Sequence, residues 1–94
     1  MASLLVTHAN DQAVLRIIGE VDTARAPALR ATLALLDGPI VVDCSALEFI
    51  DVAGLSALAA AAESDHVTLR HAPPFVRKMV AVLGWEDRLT IETP

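Results

Sequence analysis

The sequence predicts an α/β domain built on a mixed, mostly parallel β-sheet. Short apolar segments alternate along the chain with segments whose leucines and alanines recur at helical spacing, a pattern typical of strand–helix–strand crossovers. The segment Ile40–Cys44 is almost continuously apolar, as in a strand buried on both faces. We expect the order ββαβαβαβ, with four or five strands and about three helices, in one domain over residues 1–94.

The chain is expected to begin with a β-hairpin. Ser3–His8 is a short run that ends in polar residues, and Ala13–Ile18 is apolar and rich in β-branched side chains. Asn10 lies between them in a turn signal. Gly19–Asp22, with the letters GEVD, is expected to end the second strand.

A helix is predicted next, within the letters TARAPALRATLALLDGP. Thr23 is a suitable N-cap residue, and Pro27 is tolerated in a first turn. Gly38 and Pro39 are expected to stop the helix. The apolar face of this helix is expected to carry Leu29, Leu33 and Leu36.

The strand Ile40–Cys44 leads into a second predicted helix. We expect the letters SALEFID to form a connection that places Leu47, Phe49 and Ile50 inward. After it, apolar residues repeat at helical spacing, and the many alanines would let the helix lie close to a sheet. The repeating residues are Leu55, Leu58, Ala59 and Ala62.

A strand, a helix and a weak last strand complete the predicted order. Val67–Arg70 alternates between apolar and polar residues, Pro73 and Pro74 open the helix, and the last strand lies in the letters RLTIET. Trp85 either covers the edge of the core or offers an exposed patch. The inner side of the third helix is expected to carry Phe75, Val76, Met79, Val80 and Leu83.

Charge and composition argue against several classes of partner. The net charge is −5 and aromatic residues make up 3 % of the chain. Nucleic-acid binding needs a basic stripe, whereas Arg77 and Lys78 are the only adjacent basic pair. We therefore expect no nucleic-acid partner, and no apolar run is long enough to predict direct membrane insertion. A single cysteine and the lack of a signal-peptide pattern favour the cytoplasm.

The letters FIDVAGLSAL, residues 49–58, are the most informative stretch. Asp51 is placed to cap the second helix, whose N-terminus favours negative charge. Gly54 costs helix propensity but lets another backbone or a partner come close. A hydroxyl at position 53 would make a charge switch, because a phosphate there would gain from the helix dipole and be repelled by Asp51. An ordinary capped helix start is the simpler interpretation.

The sequence shows no catalytic or metal-binding pattern. Cys44 ends a buried-looking strand and is best explained as a small core residue. The three histidines lack metal-ligand spacing, and no histidine or serine is spaced for a catalytic triad. The four glycines form no phosphate-binding loop. We expect no catalytic residue, no metal and no cofactor, and hence an interaction module rather than an enzyme.

Three segments of the chain are considered together: GEVD, VVDCSALEFIDVAGLSALAAA and PPFVRKMVAVLGW. Together they resemble the STAS domain family, in particular bacterial anti-sigma factor antagonists of the SpoIIAA type. The family pattern has a GELD-like turn, a segment of the form vvDls...fiDSSGl..L and an apolar third helix. This resemblance covers nearly the whole chain and implies a single STAS-type domain.

The resemblance implies a partner-switching role. Antagonists of this family dock on a serine-kinase-type anti-sigma factor and free the sigma factor, until the kinase phosphorylates the second serine of DSSG. By position, Asp51 matches the aspartate, Val52 the first serine and Ala53 the phosphorylated serine. Gly54 and Leu55 match the GL that follows.

The resemblance also implies a partner-binding surface. Asp22 matches the acidic residue of the GELD turn, which lies near the phosphoacceptor in the family fold. Because Val52 and Ala53 have no hydroxyl, the chain should resemble the permanently unphosphorylated, docking-competent state. Ser56, three residues further on, would project from a different side of the helix. The expected partner-binding residues are Asp22, Asp51, Val52, Ala53, Gly54, Leu55 and Ser56.

Alternatives stay open for both the role and the surface. STAS-like domains also resemble soluble subunits of phospholipid-transport ABC systems, and a third possibility is a ligand- or anion-binding regulatory domain. Glu20, Asp22, Glu48 and Asp51 form either an acidic rim that steers a basic partner or a solvated edge that keeps the protein soluble. The resemblance implies a monomer or a weak homodimer.

Overall fold

The computed structural model describes residues 2–92, and its elements follow the predicted order ββαβαβαβ. Thr93 and Pro94, the end of the predicted domain, and Met1 lie outside the described residues. The elements are β1 Ala2–Ala9, β2 Gln12–Val21, α1 Ala26–Ala34, β3 Ile40–Ile50, α2 Val52–Ala61, β4 Val67–Arg70, α3 Pro74–Val82 and β5 Thr90–Ile91.

The five strands form one sheet in the spatial order β1-β2-β3-β4-β5. β1 pairs antiparallel with β2, and each later strand pairs parallel with the one before it. Asn10 and Asp11 make the hairpin turn, with φ angles of 52° and 65°. Two successive positive φ values are typical of a two-residue type I′ turn, which suits the twist of the flanking strands. The mixed, mostly parallel sheet is confirmed.

The three helices pack on one face of the sheet. On that face Leu15 lies beside Val42, and Val42 lies beside Leu69; all three side chains are fully buried. Val41 points to the opposite face and, although buried, lies outside this core cluster. The other face of the sheet is therefore not covered by any helix of residues 2–92. The helices contribute Leu29, Leu33, Leu55, Leu58, Val76 and Val80 to the core.

β2 and β3 are longer than the sequence predicted. β2 ends within the letters GEVD, but at Val21 and not at Ile18, and SALEFID is strand up to Ile50 and not a connection, because parallel pairing continues as far as Val21 opposite Ile50. Two register shifts interrupt the ladder on the way, and Gly19 lies between them with a φ of 95°. Such irregularities break the period-two pattern, which is why the sequence did not reveal these halves of the strands.

The inward residues of β3 are only partly as predicted. Leu47 and Ile50 are buried, as expected, but Phe49 is 45 % exposed, so its inward placement was wrong. Phe49 lies opposite Glu20, whose side chain is exposed. Because directly opposed residues share a face of the sheet, Phe49 follows Glu20 toward solvent.

α1 begins later than predicted and without a side-chain cap. Its N-cap residue is Arg25, which makes no side-chain capping bond, so the prediction of Thr23 as the cap was wrong. The Thr23 hydroxyl instead donates to Oδ2 of Asp51 at 3.0 Å. Pro27 lies in the first turn, as expected. The predicted apolar face is buried and comprises Leu29, Leu33 and Leu36.

α3 turns one of its flanks to solvent. Val76 and Val80 are buried, as predicted, and Met79 is partly buried. Phe75 is 36 % exposed, so its predicted inner position was wrong. Successive residues of a helix are rotated by about 100°, so the five predicted residues span more than one face. Trp85 packs against the core cluster and therefore covers its edge.

Candidate partner-binding surface

The start of α2 lies at the C-terminal ends of β2 and β3. Val21 and Ile50 are the last paired residues of these parallel strands, and Asp22 and Asp51 follow them directly. The amide of Asp51 donates to the carbonyl oxygen of Val21 at 3.1 Å, which fastens the two strand ends to each other. The sheet thus brings the two predicted aspartates to the same end of the molecule.

Asp51 caps α2, as the sequence predicted. Its Oδ1 accepts a hydrogen bond from the Gly54 amide at 3.0 Å, and its Oδ2 accepts one from the Thr23 hydroxyl at 3.0 Å. The bond from the Gly54 amide lowers the pKa of Asp51 below its ordinary value of 3.8; desolvation opposes this shift, and bonds from Thr23 and Ala53 add to it. The carboxylate is therefore charged at neutral pH, and its two oxygens connect the first turn of α2 with the side chain of Thr23.

Asp22 shapes the turn that enters α1. Its Oδ1 accepts from the Arg25 amide at 3.0 Å, and its carbonyl oxygen accepts from the Arg25 and Ala26 amides, also at 3.0 Å. The side chain is exposed, so the carboxylate is also accessible to another molecule. Asp22 therefore combines a structural role in the turn with a negative charge at the surface.

The predicted partner-binding stretch divides into exposed and buried residues. Val52 is 51 % exposed, and Ala53 and Ser56 are partly buried. Leu55 is fully buried and Gly54 is buried beside it. Only the first group offers side chains to a partner, while Gly54 and Leu55 fix the position of α2 on the sheet.

Gly54 allows α2 to approach its own sheet. A Cβ atom at this position would lie 2.7 Å from Cγ1 of Ile50 and 2.9 Å from Cγ1 of Val21. These distances are well below van der Waals contact, and both neighbours are buried, β-branched and stiff. The close approach expected at Gly54 is thus made by the strands beneath it.

An apolar groove adjoins the exposed end of α2. It has a volume of about 350 Å³, with Val52 on one side and α3 on the other. Val82 on its rim is 76 % exposed. This groove was not predicted, because Phe75, Met79 and Leu83 were expected on the inner side of α3; the helical spacing of Phe75, Met79 and Val82 was the available signal. The lining residues are Val52, Phe75, Lys78, Met79, Val82 and Leu83.

Acidic residues mark the same end of the sheet. Glu20 belongs to the last part of β2 and Glu48 to the last part of β3, and both side chains are exposed. Asp22 and Asp51 follow directly after these two strands, so all four acidic residues lie at or near the C-terminal ends of neighbouring strands. A surface of this kind combines negative charge with the apolar side chain of Val52.

Residues away from this surface have structural roles. Cys44 is buried, and burial, together with the charge of Asp43, raises the pKa of its thiol to about 12, so it is a core residue, as predicted. Oδ1 of Asp43 accepts from the Ser45 amide at 3.0 Å. Within residues 2–92, no three His, Cys, Asp or Glu side chains are grouped to hold a metal ion. No helix in that range is long and apolar enough to cross a membrane.

Comparison with known families covers almost the whole chain. The family model described as "Mlab, STAS domain" matches residues 4–92. The chain belongs to the STAS domain family. This confirms the predicted resemblance to the STAS family, which was based on the letters GEVD, the stretch around Asp51 and the third helix. None of the curated proteins matches the sequence significantly.

Several solved structures share this fold over almost the whole chain. An anti-sigma factor antagonist from Mycobacterium paratuberculosis is 26 % identical, with a TM-score of 0.76 over 100 % of this chain and 87 % of that chain. Bacillus SpoIIAA in its phosphorylated form is 17 % identical, with a TM-score of 0.71 over 97 % and 92 %. The Thermotoga maritima protein TM1081 is 15 % identical, with a TM-score of 0.85 over 97 % and 86 %.

Proposed function

We propose that this STAS domain is a non-enzymatic antagonist that binds a serine-kinase-type anti-sigma factor in the cytoplasm and thereby frees a sigma factor. The observation that carries the proposal is the similarity to the Mycobacterium paratuberculosis antagonist, 26 % identical over 100 % of this chain. The exposed surface at the start of α2 supports it, because charge and apolar area meet there.

The proposed surface has the composition of a protein-binding site. Asp22 and Asp51 hold negative charge in fixed positions through their backbone hydrogen bonds. Val52 and the groove beside α3 add an apolar centre. Specific interfaces usually combine an apolar centre with a polar rim, and complementary charge speeds the encounter. The partner should therefore present an apolar side chain to the groove and basic residues to the aspartates.

We further propose that binding is not switched by phosphorylation at residue 53. SpoIIAA is known in an unphosphorylated and a phosphorylated form. Ala53 matches the phosphorylated serine of the family pattern by position, and its methyl group cannot accept a phosphoryl group. Ser56 is partly buried on the helix, where an ordinary surface role accounts for it. Control would then act at another level, such as protein abundance or the partner's own regulation.

Charge variants test the proposed surface. The bound ATPase is first identified by capture from the native cell, and affinities are then measured with the purified pair. Asp22→Lys should weaken binding by about tenfold or more, because it reverses a surface charge. Asp22→Asn removes the charge but keeps the hydrogen bond within the turn, since the amide oxygen of asparagine can still accept from the Arg25 amide. Asp87→Lys, at another exposed acidic residue, is the matched control. Unchanged binding by Asp22→Lys would remove this surface from the proposal.

Intact-mass measurement tests the absence of the switch. The protein is incubated with the partner kinase and ATP, and no stoichiometric gain of about 80 Da is expected, because residue 53 has no hydroxyl. Ala53→Ser is the positive control and should gain that mass and lose docking. A stoichiometric gain by the unmodified sequence would contradict the proposal.

A soluble subunit of a phospholipid-transport ABC system is the second candidate. The observation that favours it is the matching family model, which is named for Mlab and not for an anti-sigma factor antagonist. The captured ATPase distinguishes the two roles: an ABC-type ATPase would support the transport role, and a histidine-kinase-like ATPase would support the antagonist role.

An anion-binding regulatory domain is less well supported. The Asp51 carboxylate already accepts from the Gly54 amide at the helix start, so an incoming anion would meet a like charge. Thermal-shift measurements with phosphates and nucleotides check this alternative, because a bound ligand would raise the melting temperature.

A further inference from the structure

β1 is a long sheet edge without the usual protection. It forms one edge of the sheet over eight residues, Ala2–Ala9. Half of the N–H and C=O groups of such a strand point away from its neighbour. Proteins commonly block these edges with charged residues, proline or a short strand length. The letters ASLLVTHA contain no Asp, Glu, Lys, Arg or Pro, whereas β5 at the other edge has only two residues.

β1 also exposes apolar side chains on both of its faces. Leu5 lies beside Arg16, on the face of the sheet without helices, and is 50 % exposed. Val6 lies beside Leu15, at the rim of the core face, and is 39 % exposed. Leu4 packs against the core only in part. A further strand placed along this edge would cover apolar area above and below the sheet.

We propose that β1 pairs antiparallel with β1 of a second copy of this chain. A two-fold axis perpendicular to the sheet keeps the helices of both copies on the same side, so opposed residues must point to the same face. Centring the axis on Leu5 places Leu5 opposite its own copy and Leu4 opposite Val6 of the second copy. Centring it on Val6 would oppose Leu4 with His8 and Leu5 with Thr7. Apolar cross-strand pairs select the register centred on Leu5.

Charge favours this edge over other surfaces for self-association. The chain carries a net charge of −5, so most surfaces of two copies repel each other. β1 brings no formally charged side chain to the contact. A single strand pair is smaller than the interfaces of about 1,200 Å² found in stable complexes. The dimer is therefore weak and forms at micromolar or higher concentration.

The pairing leaves the partner-binding surface open in both copies. Val52 and the groove beside α3 follow the end of β3, which β2 separates from β1, and Asp22 lies beyond the end of β2 and outside the β1 ladder. The two-fold axis reverses the strand direction, so the two surfaces point in opposite directions. The dimer is thus bivalent and could hold two partner molecules, or bind a clustered partner more tightly by avidity. Self-association itself does not depend on which partner the domain binds.

Sedimentation velocity of the full chain, with any tag at the C-terminus, tests the dimer. The average mass should rise reversibly from that of a monomer toward that of a dimer between micromolar and millimolar concentration. Leu5→Lys and Val6→Lys should each weaken dimerisation by about tenfold or more, because an edge lysine opposes strand addition. Leu35→Lys, at a leucine that is 84 % exposed beyond the end of α1, is the matched control. A monomer at all concentrations, or a dimer insensitive to both β1 variants, overturns the proposal.

Cysteine cross-linking tests the register independently of variant stability. Leu5→Cys should form an intermolecular disulfide, since opposed Cα atoms lie about 4.5–5.5 Å apart, within disulfide reach. Thr7→Cys should not, because Thr7 faces Ser3 of the second copy. Cys44 is buried and does not compete. Equal cross-linking of both variants, or none with Leu5→Cys, overturns the assigned register. A monomer whose β1 amides are protected from hydrogen exchange only when the partner ATPase is bound has a different occupant at this edge, and that result also overturns the proposal.

Discussion

Asp51 joins three segments that are far apart in the sequence. Its amide bonds to Val21 at the end of β2, its Oδ1 holds the first turn of α2, and its Oδ2 accepts from Thr23, 28 residues away. The sequence alone predicted the helix cap, because the cap is local. It did not predict the bond to Thr23, which exists only because parallel pairing brings the two strand ends together.

Stability should depend on pH through Asp51. Its pKa lies below the ordinary value of 3.8 in the folded state, so the ionised carboxylate stabilises the fold above that value, and the contribution is lost as pH falls through the folded-state pKa. Asp51→Ala should therefore be less stable than the unmodified protein at neutral pH, and the difference should shrink in strongly acidic solution. Urea unfolding at both pH values measures this. Asp87→Ala is the control, and a difference independent of pH would contradict a carboxylate role.

Gly54→Ala tests the close packing of α2. Alanine gains about 1 kcal/mol of helix propensity, but overpacking a core costs about 1–3 kcal/mol. We expect a net loss of about 1 kcal/mol in the free energy of unfolding, because Ile50 and Val21 are buried and β-branched, and so cannot move aside easily. Ile50→Ala removes the atom at 2.7 Å. In that background Gly54→Ala should cost less, because only Cγ1 of Val21, at 2.9 Å, is still too close, as a double-mutant cycle by urea unfolding would show. Stabilisation in the unmodified background would refute the packing argument.

At the scale of elements, α3 carries two apolar stripes instead of one. Val76 and Val80 face the sheet, while Phe75, Met79 and Val82 border the groove beside Val52. Helical periodicity identifies apolar positions but does not show which of them another element covers. The groove therefore required the structure.

Val82→Asp tests whether α3 belongs to the partner-binding surface. Val82 is 76 % exposed, so the substitution should change the free energy of unfolding by no more than about 0.5 kcal/mol. Binding to the partner ATPase should nevertheless weaken by about tenfold or more, because a carboxylate would enter the apolar centre of the interface. Leu35→Asp provides the comparison, since Leu35 is 84 % exposed outside the groove. Equal affinities of the two variants, measured by titration calorimetry, would exclude the groove from the interface.

The strands show why element boundaries were harder to predict than element order. Ile40–Cys44 was recognisable as a strand because its apolar run is short and continuous. The second half of β3 was not, because the register shifts opposite β2 interrupt alternation and leave Phe49 exposed. Such shifts depend on the neighbouring strand and on Gly19, so a reading of one segment at a time cannot detect them.

For the whole molecule, the number and order of elements were predictable because each βαβ unit constrains the next. The distribution of the helices was only partly predictable. Three helices cover one face of the sheet, and the opposite face shows Leu5, Arg16 and Asp43 without a helix above them. Parallel sheets are usually covered on both faces. Here the antiparallel β1 and the polar side chains of the open face make one-sided packing compatible with solvent.

The same packing separates residues that hold the fold from those that we propose to meet a partner, although both occur within one short stretch. Leu55→Ala removes a fully buried side chain and should cost about 2–5 kcal/mol, a large share of the roughly 5–15 kcal/mol that stabilises a typical domain. Val52→Asp changes a side chain that is 51 % exposed and should leave the free energy of unfolding nearly unchanged.

Affinity for the partner ATPase should show the opposite order for these two variants. After correction for the folded fraction, measured by urea unfolding, Leu55→Ala should bind as tightly as the unmodified protein, because the core does not touch the partner. Val52→Asp should bind about tenfold more weakly or worse, because it places a charge at the centre of the surface. If the folded fraction of Leu55→Ala bound more weakly than Val52→Asp, α2 would have to move on binding, and the surface described by Asp22, Val52 and the groove would not be the one that the partner recognises.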